Sequence, residues 1–235
     1  IPSNVTKISN NAFDSCIQLR TVEIEKDSIL NYIGECAFNK TLIGSIDIPL
    51  QVQIIDKKAF NQCINLSKVE IHEESQLRQI GDKAFKNAGI NSSIYIHPHV
   101  TKIGKHAFYH CKFLCSVKIP KDSELKYIGE YAFYNTKIGR IFIPKEVIVI
   151  ENSTFSKCDL FQLIEFSENS KLQVIGDFAF ADTNLKEISI PCSVTEILNK
   201  AFLRCRFLKI FQIPENSKLR MIGPLAFAYT SIQIL

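Results

Sequence analysis

The sequence lacks any apolar run of the roughly eighteen residues that a membrane-spanning helix requires, so we predict no membrane insertion by this segment. Its first residues, IPSNVTKISNNAF, contain no charged region followed by an apolar one, and therefore no visible signal peptide. The 28 basic and 24 acidic residues give a formal charge of +4 and are evenly spread. We expect no nucleic-acid partner, because such partners require clustered Lys and Arg.

Catalytic motifs are also missing. The sequence contains no GxSxG, Walker A or GxGxxG motif, and its acidic residues are scattered over variable positions. We therefore predict that the protein is not an enzyme and that it has no catalytic residues, no cofactor and no metal site.

The main feature that is present is a repeat. Ala-Phe recurs every 22 to 25 residues, with Thr154-Phe155 filling the one gap, which makes ten copies in 235 residues. The phenylalanines of the ten copies are Phe13, Phe38, Phe60, Phe85, Phe108, Phe133, Phe155, Phe180, Phe202 and Phe227. This repetition is typical of stacked coils, because a single coil cannot bury its own apolar face.

The copies alternate between two versions. The first reads IPxxVxxIxxxAFxxCxxLxxVxI, as in residues 1–24, and the second reads SxLxxIGxxAFxxTxIxxIxIP, as in residues 123–144. The LxxVxI piece predicts a short strand, and strands that recur at this interval without hairpins must run parallel. The Val/Leu-x-x-Ile pair predicts a second extended segment on the opposite wall. We expect the Ala-Phe segment to form one helical turn, and the glycine after the Ile to occupy a corner with an unusual φ.

The unit LxxIxIPxxVxxIgxxAFxxC resembles the leucine-rich repeat of the Treponema pallidum type, which is found in BspA-like surface proteins of bacteria and of the protist Trichomonas vaginalis. The resemblance covers essentially the whole chain, and the residue bias is most similar to the protist members. It implies an α/β solenoid, a right-handed curved stack of about ten coils with a parallel β-sheet on its concave face. Both ends look cut mid-pattern, so we expect residues 1–235 to be a single solenoid domain, a fragment of a longer array without caps.

Five of the eight cysteines occupy one position, three residues after the Phe of the first version. They are Cys16, Cys63, Cys111, Cys158 and Cys205. Because alternate coils place them about 10 Å apart, beyond the roughly 7 Å reach of a disulfide, we predict buried free thiols that donate to turn carbonyls. Cys36, Cys115 and Cys192 lie at variable positions, and we expect them to be exposed. Redox or metal roles are the alternative for the ladder, and reactivity is the alternative for the exposed thiols.

The densest cluster of potential metal ligands lies in HPHVTKIGKHAFYHCKFLC, residues 97–115. His106 and His110 are four residues apart and would share one face of a helical turn, a spacing compatible with zinc. However, Cys111 is a ladder position that faces inward, and no HExxH motif is present. His97 and His99 bracket a turn on the other side of the coil. We therefore expect solvated surface histidines.

Residues that vary along a solenoid wall are available for recognition. If LxxVxI is the inner strand, the central exposed column reads Glu23, Asp47, Glu70, Tyr95, Lys118, Phe142, Glu165, Ser189 and Gln212. Aromatic and basic residues gather in the middle of this column and of its neighbour, as they do in protein-binding hot spots. We predict a protein-binding patch, the middle patch, formed by Lys68, Tyr95, Lys118, Arg140 and Phe142. A site on another wall or in a missing repeat is the alternative.

Two function classes fit these features. The family resemblance implies a non-enzymatic cell-surface module that adheres to a host or matrix protein or to an acidic glycan, with its signal and anchor outside this segment. An intracellular scaffold that mediates protein–protein interaction is the alternative, and it would fit a reduced cysteine ladder at least as well. Self-association through uncapped ends is a third outcome, because an open end would expose Ile, Val and Phe side chains.

Overall fold

The structure, a computed structural model, describes residues 1–234 as short strands joined by turns. In chain order the strands are β1 Lys7–Ile8, β2 Tyr32–Ile33, β3 Ser45–Ile48, β4 Ile54–Ile55, β5 Lys68–Ile71, β6 Gln79–Ile80, β7 Ile94–Tyr95, β8 Lys102–Ile103, β9 Val117–Lys118, β10 Tyr127–Ile128, β11 Arg140–Ile143, β12 Val149–Ile150, β13 Leu163–Phe166, β14 Val174–Ile175, β15 Glu187–Ser189, β16 Glu196–Ile197, β17 Ile210–Gln212 and β18 Met221–Ile222. Among these residues no helix is long and apolar enough to cross a membrane.

Two walls of each coil carry these strands, and every pairing between named strands is parallel, as predicted. On the first wall, the Ile wall, strands that end on the Ile of each Val/Leu-x-x-Ile pair form a six-stranded sheet (β1-β2-β4-β6-β8-β10) and a four-stranded sheet (β12-β14-β16-β18). On the second, the LxxVxI wall, strands pair in twos as β3-β5, β7-β9, β11-β13 and β15-β17. The chain is therefore a parallel solenoid of about ten coils, and the predicted second extended segment is confirmed.

The LxxVxI wall is interrupted after every second coil because the connections differ in length. Ile46 and Val69 pair and are 23 residues apart, whereas Val69 and Ile94 do not pair and are 25 apart. The two additional residues lie in the connection from Val69 to Ile80, which is longer than the connection from Ile46 to Ile55. The longer connection separates the neighbouring strands and opens clefts on this wall.

A column of stacked phenylalanine rings fills the space between the walls. The ten repeat phenylalanines stack with ring centroids 5.2 to 5.7 Å apart. Phe60 and Phe133 have no exposed surface, and the neighbouring Val, Leu and Ile columns are buried with them except in the first and last coils. Offset ring pairs add about 0.5–1.5 kcal/mol each beyond the burial of their area. The predicted core columns are therefore confirmed.

The Ala-Phe segment is not helical, so the prediction of a helical turn is wrong. Each copy has two residues with positive φ, one on either side of the Ala-Phe pair, such as His106 (φ 56°) and His110 (φ 57°). The backbone N–H of Phe108 donates to the carbonyl of Ala132 in the next coil (2.8 Å), whereas that of Ala107 donates within its own coil (3.2 Å). A helix would satisfy both groups internally. Here alternate N–H groups donate to the next coil, and they form a third ladder of hydrogen bonds between coils besides those of the two walls.

The glycines that follow the Ile of each pair do not have the predicted unusual φ, since no glycine of the described residues has a positive φ. They lie against the backbone of the preceding coil. A Cβ added at Gly129 would be 2.5 Å from the backbone N of Lys105, and one at Gly104 would be 2.5 Å from that of Asp82. Close approach of neighbouring coils, rather than turn conformation, therefore requires glycine in this column.

The cysteine ladder consists of buried free thiols, as predicted, at Cys63, Cys111, Cys158 and Cys205. Each thiol donates to the carbonyl of the repeat Phe in the preceding coil, as Cys158 Sγ does to Phe133 O at 3.0 Å. Three of them also contact a threonine hydroxyl, for example Thr136 Oγ1 at 3.3 Å from Cys158 Sγ. Burial raises the pKa of each of these thiols.

Two cysteines differ from the prediction. Cys16 is exposed rather than buried, because it lies in the first of the coils that the structure describes. Cys36 was expected at the surface but is only 9% exposed, since the Ala-Phe segment that contains it is bonded to the coils on either side. Cys115 and Cys192 are exposed, as predicted.

We expect three of the eight thiols to react with N-ethylmaleimide in the native protein, because burial both hides the other five and keeps them protonated. Mass spectrometry after brief labelling at pH 7.5 should place the adducts on Cys16, Cys115 and Cys192. Unfolding in guanidinium should expose all eight. Equal labelling of Cys158 in the native protein would contradict the buried ladder.

Candidate functional site

The middle patch lies on the exposed face of the LxxVxI wall, with its residues at the predicted strand positions. Tyr95 pairs directly with Lys118, and Arg140 and Phe142 share β11. Lys68, Lys118 and Arg140 are exposed, whereas Tyr95 and Phe142 are half-buried, and Phe142 packs against the core. The residues between them on each strand point into the solenoid, as the alternation of side chains along a strand requires.

Three residues of the patch surround a cleft between β5 and β7, one of the places where the strands of this wall do not pair. The cleft has a volume of about 500 Å³. It is lined by Lys68, Val69, Glu70, Ile71, His72, Glu73, Ser92, Ser93, Tyr95 and Lys118. The longer connection that follows Val69 therefore creates the space, and the variable residues of three coils give it mixed charge and an aromatic side chain.

Two of the charged side chains that line the cleft form an ion pair with each other, and a third contacts the preceding coil. Lys68 forms an ion pair with Glu70, and its hydrogen bond lowers the pKa of the Glu70 carboxyl. His72 Nε2 lies 2.8 Å from Asp47 Oδ1 on the preceding coil. Burial, with a smaller contribution from nearby acidic groups, raises the pKa of Tyr95, which stays a neutral phenol at physiological pH. Such an arrangement of charged and aromatic groups suits recognition of a protein surface.

Arg140 and Phe142 do not line this cleft. They lie on the next strand pair, separated from β9 by another unpaired step. A second cleft of about 570 Å³ lies further along, between β13 and β15, and its charged residues are Glu165 and Glu187. The wall therefore changes from mixed and basic character near the first cleft to acidic character at the second.

The histidines are less exposed than expected. His97 is buried, and its Nε2 lies 2.7 Å from the carbonyl of Glu73, because the connection after β5 folds over it. His106 and His110 are half-buried, and burial lowers the pKa of both imidazoles. Only His99 of this cluster is exposed, 2.8 Å from Glu124 Oε1. Within residues 1–234, no three His, Cys, Asp or Glu side chains lie close enough to hold a metal ion.

Sequence reasoning missed a row of aromatic and basic side chains on the Ala-Phe wall. Tyr109 and Tyr134 stack at 5.0 Å, and lysine ammonium groups cap the pair at 5.0 Å (Lys86) and 5.6 Å (Lys157) from the ring centroids. The signal was available, since a tyrosine directly follows the repeat Phe in two consecutive copies. The stacked faces contact one another, so this row presents ring edges rather than open aromatic faces to solvent.

Comparison with known proteins identifies the repeat. The model of the "BspA type Leucine rich repeat region" matches six copies, over residues 1–115, 78–209 and 126–235, and so covers the whole chain. No curated protein matches the sequence.

Three solved structures are similar. A leucine-rich repeat protein from Bacteroides ovatus is 23% identical with a TM-score of 0.56, and the match covers 97% of this chain and 69% of that one. The pneumococcal vaccine antigen PcpA is 19% identical with a TM-score of 0.55, over 99% of this chain and 66% of that one. The leucine-rich repeat protein of T. pallidum is 20% identical with a TM-score of 0.59, over 75% of this chain and 80% of that one. These likenesses support the fold.

Proposed function

Because the chain belongs to the BspA-type leucine-rich repeat family, we propose that it is a non-enzymatic cell-surface module that adheres to host cells or to extracellular-matrix proteins. Leucine-rich repeat proteins generally bind proteins, and the similar PcpA is described as a vaccine antigen, which supports surface exposure of relatives. The alternating 22- and 25-residue units and the abundance of Ile, Lys, Asn and Phe support an origin among the protist members, such as those of Trichomonas.

We place the binding surface on the LxxVxI wall, at the middle patch. The observation that carries this choice is the open cleft between β5 and β7, where Tyr95 lies among basic and acidic side chains drawn from three coils. A half-buried tyrosine loses little conformational entropy on binding, and tyrosine is enriched among the residues that dominate interfaces. Arg140 and Phe142 extend the same surface along the stack, so that a protein partner contacts several coils at once.

An intracellular scaffold is the second candidate, and the free thiols favour it. All eight cysteines are free, and Cys111 and Cys115 stay unpaired although they lie four residues apart. Chains that function in an oxidising compartment more often pair their cysteines. However, burial of the four ladder thiols in separate coils protects them from oxidation, so the ladder is compatible with a surface location as well.

Adhesion can be tested on matrix deposited by cultured epithelial cells and left on the plate after the cells are removed. We expect the purified chain to bind this matrix saturably, and the double reversal K118E/R140E to lower binding at least tenfold. Both side chains are exposed, so the fold should be unaffected. Charge reversal is preferred to truncation of Phe142, which also packs against the core.

The matched control reverses two exposed charges beside the Ile wall, R78E/K126E, with the same change in net charge. This variant should bind as the parent chain does. If both double variants lose binding equally, the attraction depends on net charge and the middle patch is not the site. If the parent chain binds neither this matrix nor intact epithelial cells, adhesion itself is the wrong function.

A further inference from the structure

A row of exposed apolar side chains follows the corner between the Ala-Phe wall and the LxxVxI wall. Each long coil, that is each 25-residue unit that carries the first version of the repeat, contributes one member, at 49–65% exposure. The members are Ile17, Ile64, Phe113, Leu160 and Phe207. A single exposed apolar residue is ordinary, but five at one corner of five successive long coils form a continuous feature that core packing does not explain. We call this feature the apolar row, and it contains no residue of the middle patch.

The row arises from a turn that only the long coils possess. In these coils a buried residue such as Leu66 follows the repeat Phe by six positions, whereas in the short coils, which carry the second version, the equivalent residue such as Ile43 follows it by five. The additional residue completes a turn closed by a backbone hydrogen bond, such as Leu66 N–H to Cys63 O at 3.0 Å and Leu114 N–H to Cys111 O at 3.1 Å. The apolar side chain occupies one of the two tip positions of this turn and projects outward.

A hollow separates two members of the row, Ile64 and Phe113. Between Ile64 and Phe113 it has a volume of about 260 Å³, and its floor is formed by the short coil at Ala88 and Gly89. A Cβ at Gly89 would lie 2.1 Å from the carbonyl oxygen of Ile64, so the backbone is close-packed there and no side chain can fill the floor. At this point the corner therefore has a recess between two projecting side chains that can receive an apolar side chain of a partner.

The spacing of the row selects among possible partners. Ring centroids of the core phenylalanines are 5.2 and 5.3 Å apart in successive coils beside the hollow, so the coils that carry neighbouring members of the row are about 10.5 Å apart along the stack. Seven residues of an α-helix span about 10.5 Å. Three residues of polyproline II span about 9.3 Å. A polyproline II partner would therefore be out of register with the last member of the row by roughly 4 Å or more. Side chains on one face of a β-strand recur about every 6.8 Å, which differs from the spacing of the row.

Charge distinguishes a helical partner from a second copy of this chain. The segments of one to five residues after each repeat Phe carry seven basic residues and three acidic ones. The basic residues are Lys40, Lys86, Lys112, Lys137, Lys157, Arg204 and Arg206. Of the acidic residues, Asp159 and Asp182 are already paired with Lys137 and Arg204. Two such corners would repel each other, whereas a partner with acidic flanks would be attracted.

We propose that the apolar row binds an amphipathic α-helix of a partner protein, with an apolar residue at every seventh position and acidic residues beside it. The helix lies along the corner with its apolar side chains against Ile17, Ile64, Phe113, Leu160 and Phe207, and one of them enters the hollow between Ile64 and Phe113. This is the helix-in-groove mode of recognition, with projecting apolar side chains at the heptad interval. The site is independent of adhesion through the LxxVxI wall.

The probe for this site is a fluorescent 29-residue peptide with Leu at every seventh position and Ala and Glu elsewhere. We expect fluorescence anisotropy to show saturable binding to the 235-residue chain, and circular dichroism to show a gain in peptide helicity. Phe113→Ser should weaken binding at least tenfold, and the double variant I64S/F113S should abolish it. K118E/R140E, which alters the other wall, should leave peptide affinity unchanged.

Two control peptides test the period and the charge. An isomer of the same composition with Leu every fifth residue does not place its Leu side chains on one helix face and should not bind. A version with Lys in place of Glu should bind at least tenfold more weakly. The proposal is overturned if the isomer binds equally or if Phe113→Ser has no effect. It is also overturned if sedimentation velocity shows a dimer of this chain that Phe113→Ser dissociates, because the row is then a contact between copies.

Discussion

Replacing Phe133 with alanine is expected to lower the free energy of unfolding by about 3–5 kcal/mol, a large part of the stability of an ordinary domain. Phe133 has no exposed surface, and its ring stacks on Phe108 at 5.4 Å and on Phe155 at 5.7 Å. Ladders of backbone hydrogen bonds on the surrounding walls hold the neighbouring coils apart, so the cavity cannot collapse. Guanidinium unfolding followed by far-ultraviolet circular dichroism measures the change.

The chain provides a matched control in Phe113, which is 65% exposed at the tip of a turn. Phe113→Ala should change the free energy of unfolding by no more than about 0.5 kcal/mol, since it removes few buried contacts. In a stack where each coil contacts only its neighbours, a central defect can also let the two halves unfold separately. If the free energy of unfolding depends less steeply on denaturant concentration in the Phe133 variant alone, the two halves unfold separately. Equal losses in the two variants would contradict the central role of the stacked rings.

The core of this fold could be predicted from the sequence because its columns repeat. Each Phe, and each Ile five residues before it, recurs at an interval that one turn of a solenoid explains, and all but Ile222 in the last coil belong to the core or pack against it. The alternation of LxxVxI likewise predicted which side chains face outward, and Tyr95 and Lys118 are direct neighbours on adjacent strands. Periodic features of this kind can be predicted without knowledge of individual contacts.

The conformation of the Ala-Phe segment could not be predicted in this way. Its positive-φ positions are occupied by residues as different as Asn11, Lys58, Tyr131 and Phe178, so residue type does not mark them. A left-handed residue other than glycine costs about 1 kcal/mol or more. Hydrogen bonds to the neighbouring coil offset this cost, and they exist only after the coils have stacked. The local sequence therefore suggests a helical turn that the assembled stack replaces.

The candidate site was predicted in part for a related reason. The strand pattern identified the exposed residues of the middle patch, but the cleft between β5 and β7 depends on a difference of two residues in a connection elsewhere in the coil. That difference is visible in the sequence as unequal repeat lengths. Its effect, that neighbouring strands on this wall do not pair, is not visible there. Burial of His97 by the connection after β5 was missed for the same reason.

Raising the pH from 8 to 10 is expected to destabilise the folded chain through its buried thiols. Burial raises the pKa of Cys63, Cys158 and Cys205 to about 11 and that of Cys111 to about 12, from the ordinary value of 9.0. In the unfolded chain these thiols lose their protons above pH 9, whereas in the folded chain they keep them. The folded state then binds more protons, so stability is complete below pH 8 and falls as the pH rises from 9 towards 11.

The size of this effect follows from the number of thiols. At pH 10 each thiol that ionises only on unfolding lowers the free energy of unfolding by about 1.4 kcal/mol, and four independent thiols lower it by about 5 kcal/mol. Guanidinium unfolding at pH 8 and pH 10, with a phosphine reductant present, measures the difference. A variant with alanine at all four ladder positions starts less stable at pH 8 but should lose much less on going to pH 10. If the parent chain and this variant lose the same amount, other groups cause the alkaline instability, because the alanine variant retains every tyrosine and lysine and lacks only the thiols.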